Sequence, residues 1–285
     1  MMHPGSGPSD RDNDILFPPI RTAVLARHVA VCSFDKRGVG ASGGDWTRAG
    51  IPTQAQDLLA GLDAARSALA AQGHEPPAGL FGHSQGGWVV LEAAASADVR
   101  FVITNSGPAV SPAEQELHST RMRLGAAGWS AADAEDALTL LGQIFTLAGT
   151  GHSLAEAAAL RQARDDLVTR MVRNSVFVPD DPDLWAYAGL IFPHDPSRAL
   201  QALCVPLLAL LGQVDDVVPV ERSASVFRAL VSPDLLDVRI VEGGDHRLQR
   251  PGSEEFVPGY LDTVAGFAAA RFETPPTTGP TPRNC

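Results

Sequence analysis

A chain of 285 residues with a 45% hydrophobic fraction holds enough apolar material for one large domain or two ordinary ones. A net charge of −11 argues against a nucleic-acid partner gripped by an electrostatic footprint and favours small neutral or cationic partners. No apolar run approaches the ~18 residues of a membrane span and no basic-then-apolar leader opens the sequence, so the expectation is a cytoplasmic protein without membrane association.

In chain order, "MMHPGSGPSDRD" opens on glycines, prolines and serines, which is turn chemistry with no strand or helix before it. Thereafter short β-branched runs alternate with alanine-rich amphipathic ones. The predicted strands are 28–34 "HVAVCSF", 78–82 "AGLFG", 100–106 "RFVITNS", 205–212 "VPLLALLG" and 236–242 "LDVRIVE". Their near-continuous apolar character suits strands covered on both faces, hence an α/β fold with a mostly parallel sheet. The predicted helices between them are "TQAQDLLAGLDAARSALAAQ", "GGWVVLEAAASA" and "PVERSASVFRAL".

The alternation stops between Gly107 and Asp195, where only helical patterns occur, and such an insertion reads as a cap over the strands' C-terminal edge. The expected organisation is therefore an α/β core in two parts, 1–106 and 198–272, a helical cap at 107–197 and a disordered tail at 273–285. Cys32 and Cys204 lie in apolar runs and read as buried strand thiols. The sequence contains no C-x-x-C or H-E-x-x-H, so neither a metal nor a cofactor is expected.

G-x-S-x-G occurs twice, around Ser42 and around Ser84. A nucleophilic serine needs a strand before it and a helix directly after, because that sharp turn projects Oγ and aims helix N–H groups at the reacting oxygen. Ser84 has "GLF" before it and "GGWVVLEAAASA" after it, whereas Ser42 sits between "DKRG" and "GDWTRAGIP" and reads as a turn residue. A serine hydroxyl also needs a base held by a carboxylate, in the chain order Ser, acid, His. "GQVDDVVP" offers Asp215 or Asp216 just beyond a strand, and "VEGGDHR" offers His246, with Asp245 its neighbour. His83 reads as packing, and His118, His152 and His194 as solvent-facing cap residues. The N–H of Gln85 follows the nucleophile and would be one oxyanion donor; a second would come from an earlier glycine-rich loop, for which "HPGSGPSDRD" is the candidate.

Taken in order, "GSGPSDRD", "DKRGVGASGG", "GHSQGGW", "NSGPAVSPAEQE", "GQVDDVVP" and "GGDHR" resemble the bacterial branch of the α/β-hydrolase superfamily that is similar to dienelactone hydrolases and serine aminopeptidases. The resemblance spans about Gly5 to Phe272 and implies Ser84 as nucleophile, Asp215 as acid and His246 as base, with Ser6 N–H and Gln85 N–H as the oxyanion hole. It also implies eight strands ordered 1-2-4-3-5-6-7-8 with a cap after the sixth. Only Met1 to Pro4 precede the loop that should follow the third strand, so the expectation is a native start upstream; the alternative is a strand stub within residues 1–5.

The implied activity is hydrolysis of a short or medium acyl ester, with a serine aminopeptidase or thioesterase as the alternative. An aminopeptidase would call on Glu114 or Glu116 for the substrate amine. A chain without its first strands would instead be a non-catalytic remnant or binding module. Trp88, Trp129, Phe145, Phe177 and Trp185 are candidates for an acyl pocket, or simply for packing among themselves.

Overall fold

Five parallel strands form one sheet among the described residues, in the order β1 (Met2–His3), β2 (Leu80–His83), β3 (Val102–Asn105), β4 (Leu207–Gly212) and β5 (Leu236–Val241). The computed structural model describes residues 1–273, so the tail expectation lies outside them except for Glu273, which ends the last helix. The sequence pattern explains why helices cover both faces. Leu80, Val102, Leu207 and Ala209 enter one apolar cluster, while their neighbours Phe81, Ile103, Leu208 and Leu210 enter another on the opposite side. That alternation is the two-residue side-chain period of a strand whose every position is apolar.

The first cluster is closed by α2 (Ile51–Ala70), α3 (Gln85–Ala94) and α10 (Val220–Leu230), through Ile51, Leu58, Trp88, Leu91 and Phe227. The second is closed by α1 (Phe17–Leu25) and α11 (Tyr260–Glu273), through Phe17, Ile20, Tyr260 and Val264. Phe17 stacks edge-on against Phe81, and Phe101 against Phe267. Between β3 and β4 lie six helices and no strand: α4 (Pro112–Ala126), α5 (Ala131–Gly149), α6 (Leu154–Gln162), α7 (Asp165–Arg173), α8 (Pro182–Ile191) and α9 (Ser197–Gln201). Serine N-caps start α4, α5 and α6, with Ser153 and Glu156 forming a full capping box. Residues 124–188 of this segment share their own apolar cluster around Leu141, Ile144 and Met171.

Two expectations need correction, the strand 28–34 and the buried cysteines, and the strand-stub alternative is met. The predicted strand 28–34 is reduced to a bridge between Ser33 and Met2, with Met2 N–H donating to Cys32 O. Its partner β1 is only two residues long, so an extended run beside it has nothing further to pair with. Met2 and His3 nonetheless pair with Phe81 and Gly82, so residues 2–3 supply a strand stub and the sheet is continuous beside Ser84. The cysteines are not buried: Cys32 is free and exposed, and Cys204 is exposed and disulfide-bonded. Both lie at positions where the sheet is bare or has not yet begun.

Candidate active site

Ser84 sits between β2 and α3 with φ 52° and ψ −121°, a conformation that a side chain normally avoids and that costs roughly 1–3 kcal/mol. The surroundings hold it there: Ser84 N–H donates to Asn105 O at 2.9 Å, and Gly87 N–H donates to Ser84 O at 2.8 Å. The two glycines of the motif are steric necessities. A Cβ at Gly82 would stand 2.1 Å from Gly86 O, and one at Gly86 would stand 2.5 Å from His3 O. Ser42, the serine of the other match, donates its hydroxyl to Asp35 O at 2.7 Å within a turn.

The ends of β2, β4 and β5 bring three side chains together. His246 Nε2 lies 2.9 Å from Ser84 Oγ, and His246 Nδ1 lies 2.8 Å from Asp215 Oδ2. Ser84 and Asp215 are buried. Because a carboxylate can only accept, Nδ1 carries the proton toward Asp215 and Nε2 is left to accept the Ser84 hydroxyl. Asp215 Oδ1 accepts from Val217 N–H at 2.8 Å and Val218 N–H at 3.0 Å, which fixes the carboxylate plane. Asp216 is exposed, and Asp245 spends its carboxylate on Arg247 N–H and Gln249 N–H, organising the histidine loop. Of the two open acids, Asp215 is the one that meets His246.

Around this trio, His83 is buried, with Nδ1 2.9 Å from Asn105 Nδ2 and its ring 5.1 Å from that of His246. Burial, and then the neighbouring His246, push its pKa well below the ordinary value, so it stays neutral. His194 departs from the solvent-facing expectation. It lies edge-on to Trp88, and burial lowers its pKa to about 4, because the chain between α8 and α9 folds back onto α3.

The opening loop lies against the serine. A Cβ at Gly5 would be 3.4 Å from His83 Cδ2 and 3.6 Å from Ser84 Cβ. Ser6 itself is exposed, and among the described residues neither its N–H nor that of Gln85, at the first position of α3, finds an acceptor. The loop is laced to the segment after Ser33 by Asp35, which accepts from Arg11 N–H and Nε, both at 2.9 Å, and from Ala41 N–H at 3.1 Å. The Arg11 guanidinium first, then the Ala41 and Arg11 amides, hold the Asp35 carboxyl far below the usual carboxylate range. Gly5 N–H donates to Asn13 Oδ1 at 3.2 Å.

Lys36 and Tyr187 are the residues that sequence reasoning missed. Lys36 is buried, and its Nζ donates to Gly5 O at 2.9 Å and to Gln85 Oε1 at 3.1 Å. Tyr187 of α8 meets Gln85 Nε2 through its hydroxyl at 2.7 Å. The aromatic candidates pack rather than line a pocket. Trp88 is in the core under α3, Phe145 stacks on Phe192 at 3.9 Å, Trp185 donates to His152 O, and Arg170 lies over Trp129. Glu114 pairs with Arg222 at 3.2 Å, while Glu116 is half-buried without a partner of that kind.

Among the described residues no cluster of three or more His, Cys, Asp or Glu is placed to hold a metal ion, and no helix is long and apolar enough to cross a membrane.

A parallel sheet covered on both faces, with a serine on a strand-to-helix turn at its C-terminal edge, defines an α/β-hydrolase. The family described as serine aminopeptidase, S33, matches residues 19–250, and the chain belongs to it. That span includes Ser84, Gln85, Asp215 and His246 and leaves out Ser6. Solved structures share the fold at low identity. A monoacylglycerol lipase of Paleococcus ferrophilus is 13% identical with a TM-score of 0.57, covering 95% of this chain and 94% of its own. An esterase of Pyrococcus furiosus is 14% identical with a TM-score of 0.57, covering 95% and 79%. Est1E of Butyrivibrio proteoclasticus, solved with ferulic acid, is 16% identical with a TM-score of 0.55, covering 94% and 85%. No curated protein matches the chain in sequence.

Proposed function

We propose that the protein is a serine esterase that cleaves short or medium acyl esters through an acyl-enzyme on Ser84. The observation that carries this reading is the unbroken path from Ser84 Oγ to His246 Nε2, and from His246 Nδ1 to Asp215 Oδ2, at 2.9 and 2.8 Å. Ser84 attacks the ester carbonyl as His246 takes its proton; Asp215 holds the imidazole tautomer and offsets the imidazolium charge. The N–H groups of Ser6 and Gln85 receive the oxyanion, and His246 returns the proton to the departing alcohol. Water then repeats the sequence and frees the acid. Helices α4 to α8 act as the cap, with Tyr187 of α8 reaching Gln85 beside the nucleophile.

Hydrolysis of p-nitrophenyl esters by wild type and Ser84→Ala tests the nucleophile. Turnover should fall by ~10⁶-fold in the variant, and a fluorophosphonate probe should label wild type on Ser84 alone. Retention of more than a few per cent of activity sinks the assignment. Aminoacyl p-nitroanilides measured beside the esters separate esterase from aminopeptidase; preferred cleavage of the anilides would move the reading to a peptidase.

A further inference from the structure

Resting on that esterase reading, we infer that Lys36 is a positioning residue for acyl transfer, clamping the Gly5–Ser6 peptide and the Gln85 side chain so that both oxyanion donors face one point. The geometry follows from the peptide plane. Among the described residues no peptide bond is cis, so the Gly5 carbonyl and the Ser6 N–H point in opposite directions. Lys36 Nζ holds the carbonyl at 2.9 Å and thereby sets where the N–H aims. The same ammonium, which can only donate, fixes Gln85 Oε1 at 3.1 Å, leaving Gln85 Nε2 for Tyr187 at 2.7 Å. One charge thus ties the loop that carries the first donor to the helix turn that carries the second.

The charge also acts through the bonds it makes. An ammonium on the Gly5 carbonyl draws electron density from that peptide and strengthens Ser6 N–H as a donor. Its field opposes the cost of the negative oxygen that develops in the transition state, and the neutral ester of the ground state gains little. A loss of the clamp therefore lowers kcat and leaves KM nearly unchanged.

The surroundings make this charge sensitive to pH. Among the described residues no carboxylate pairs with Lys36. Asp35, its neighbour in sequence, is bound to Arg11, and Asp57 of α2 is bound to Arg37. Both Asp57 and Arg37 line, with His3, Trp46 and Gln54, the cavity of about 10 Å³ beside Lys36. His3 of β1 is neutral, its pKa pushed down to about 3 by burial and then by Lys36. Tyr187, bound to Gln85, is a neutral phenol held to about 12 by burial. Burial without a counter-ion lowers Lys36 to about 7, so the clamp loses its charge as pH rises through that value.

The test compares wild type, Lys36→Met and Gln85→Glu in p-nitrophenyl ester hydrolysis over about pH 6 to 9. Lys36→Met should lose about 10- to 100-fold in kcat with KM within about threefold, less than the ~10² to 10³ of deleting a donor outright. Wild-type kcat should fall along a basic limb near pH 7, the value to which burial brings Lys36. Gln85→Glu gives the ammonium a carboxylate, and its limb should move up by about one pH unit or more. An unchanged kcat in Lys36→Met, or a limb that stays in place in Gln85→Glu, overturns the inference and leaves the Ser84 chemistry standing. Should Lys36→Met not fold, the two pH profiles decide alone. Failure of wild-type Ser84 to take the fluorophosphonate is a different result, which removes the esterase reading itself.

Discussion

Asp215 and Asp216 are neighbours in sequence with the same side chain, and only their surroundings separate them. Asp215 is buried and accepts from Val217 N–H, Val218 N–H and the His246 ring, whereas Asp216 is exposed. Asparagine at 215 would present an amide to His246 Nδ1, reversing the favoured tautomer and removing the acceptor for the Ser84 proton in the proposed mechanism. Asp215→Asn should therefore lower kcat by ~10³ to 10⁴, while Asp216→Asn leaves it within a few-fold. Comparable losses in both variants would mean that the carboxylates share the task. The meeting of Ser84 and His246 was legible in the sequence because each lies a few residues past an apolar run, and a parallel sheet gathers strand ends. Lys36 was not legible: in "SFDKRG" it looks like a solvated turn residue, and it becomes buried only because residues 5 and 85, far from it in sequence, close over it.

At the scale of elements, long periodic segments were readable and pairing-dependent ones were not. The expected helices 53–72, 86–97 and 219–230 correspond to α2, α3 and α10, whose apolar faces meet the sheet. The run 153–174, "SLAEAAALRQARDDLVTRMVRN", carries one continuous helical pattern yet forms two helices, α6 and α7, broken where Arg164 leaves helical geometry at φ −132°. No periodic pattern marked α1, which opens on "FPPI" and is defined by its contacts with α11. Within α4, Glu116 is held half-buried with only the distant charge of Arg123 to offset it, and burial raises its pKa to about 7. A carboxyl whose folded pKa lies above its unfolded value, about 4.3, takes up protons on folding. Its contribution to stability is complete below the unfolded value and is lost as pH rises through about 7. Wild type and Glu116→Gln should consequently have the same denaturation midpoint near pH 4, with the variant more stable by roughly 1–3 kcal/mol at about pH 8. Denaturant titrations at both pH values measure this, and a gap that does not widen with pH would show that the carboxyl is solvated.

Across the whole molecule, the sheet is strongest at its centre and thinnest where the proposed oxyanion loop begins. β4 pairs with β3 on one side and with β5 along its full length on the other, and its six residues are all buried. β1 contributes two registered pairs to β2 and one bridge to Ser33. Yet the chain leaving β1 is the Pro4–Gly5–Ser6 turn, so the position of the loop depends on those few bonds and on the clamps made by Lys36, Asn13 and Asp35. Regions with few backbone bonds open by local fluctuation at a fraction of the global free energy, whereas a central strand exchanges its amides only when the domain unfolds. Native-state hydrogen exchange should therefore find the amides of Met2 and Phe81, which donate to Cys32 O and Met1 O, far less protected than those of Val102 and Leu207. A transition-state analogue such as a boronic acid, bound at Ser84 and drawing Ser6 N–H to its oxyanion, should raise protection at Met2 and Phe81 and leave the central strands unchanged. Protection of β1 equal to that of β4 without ligand would mean that the stub is anchored as firmly as the core; the loop would then be preformed rather than drawn into place by the reacting oxygen.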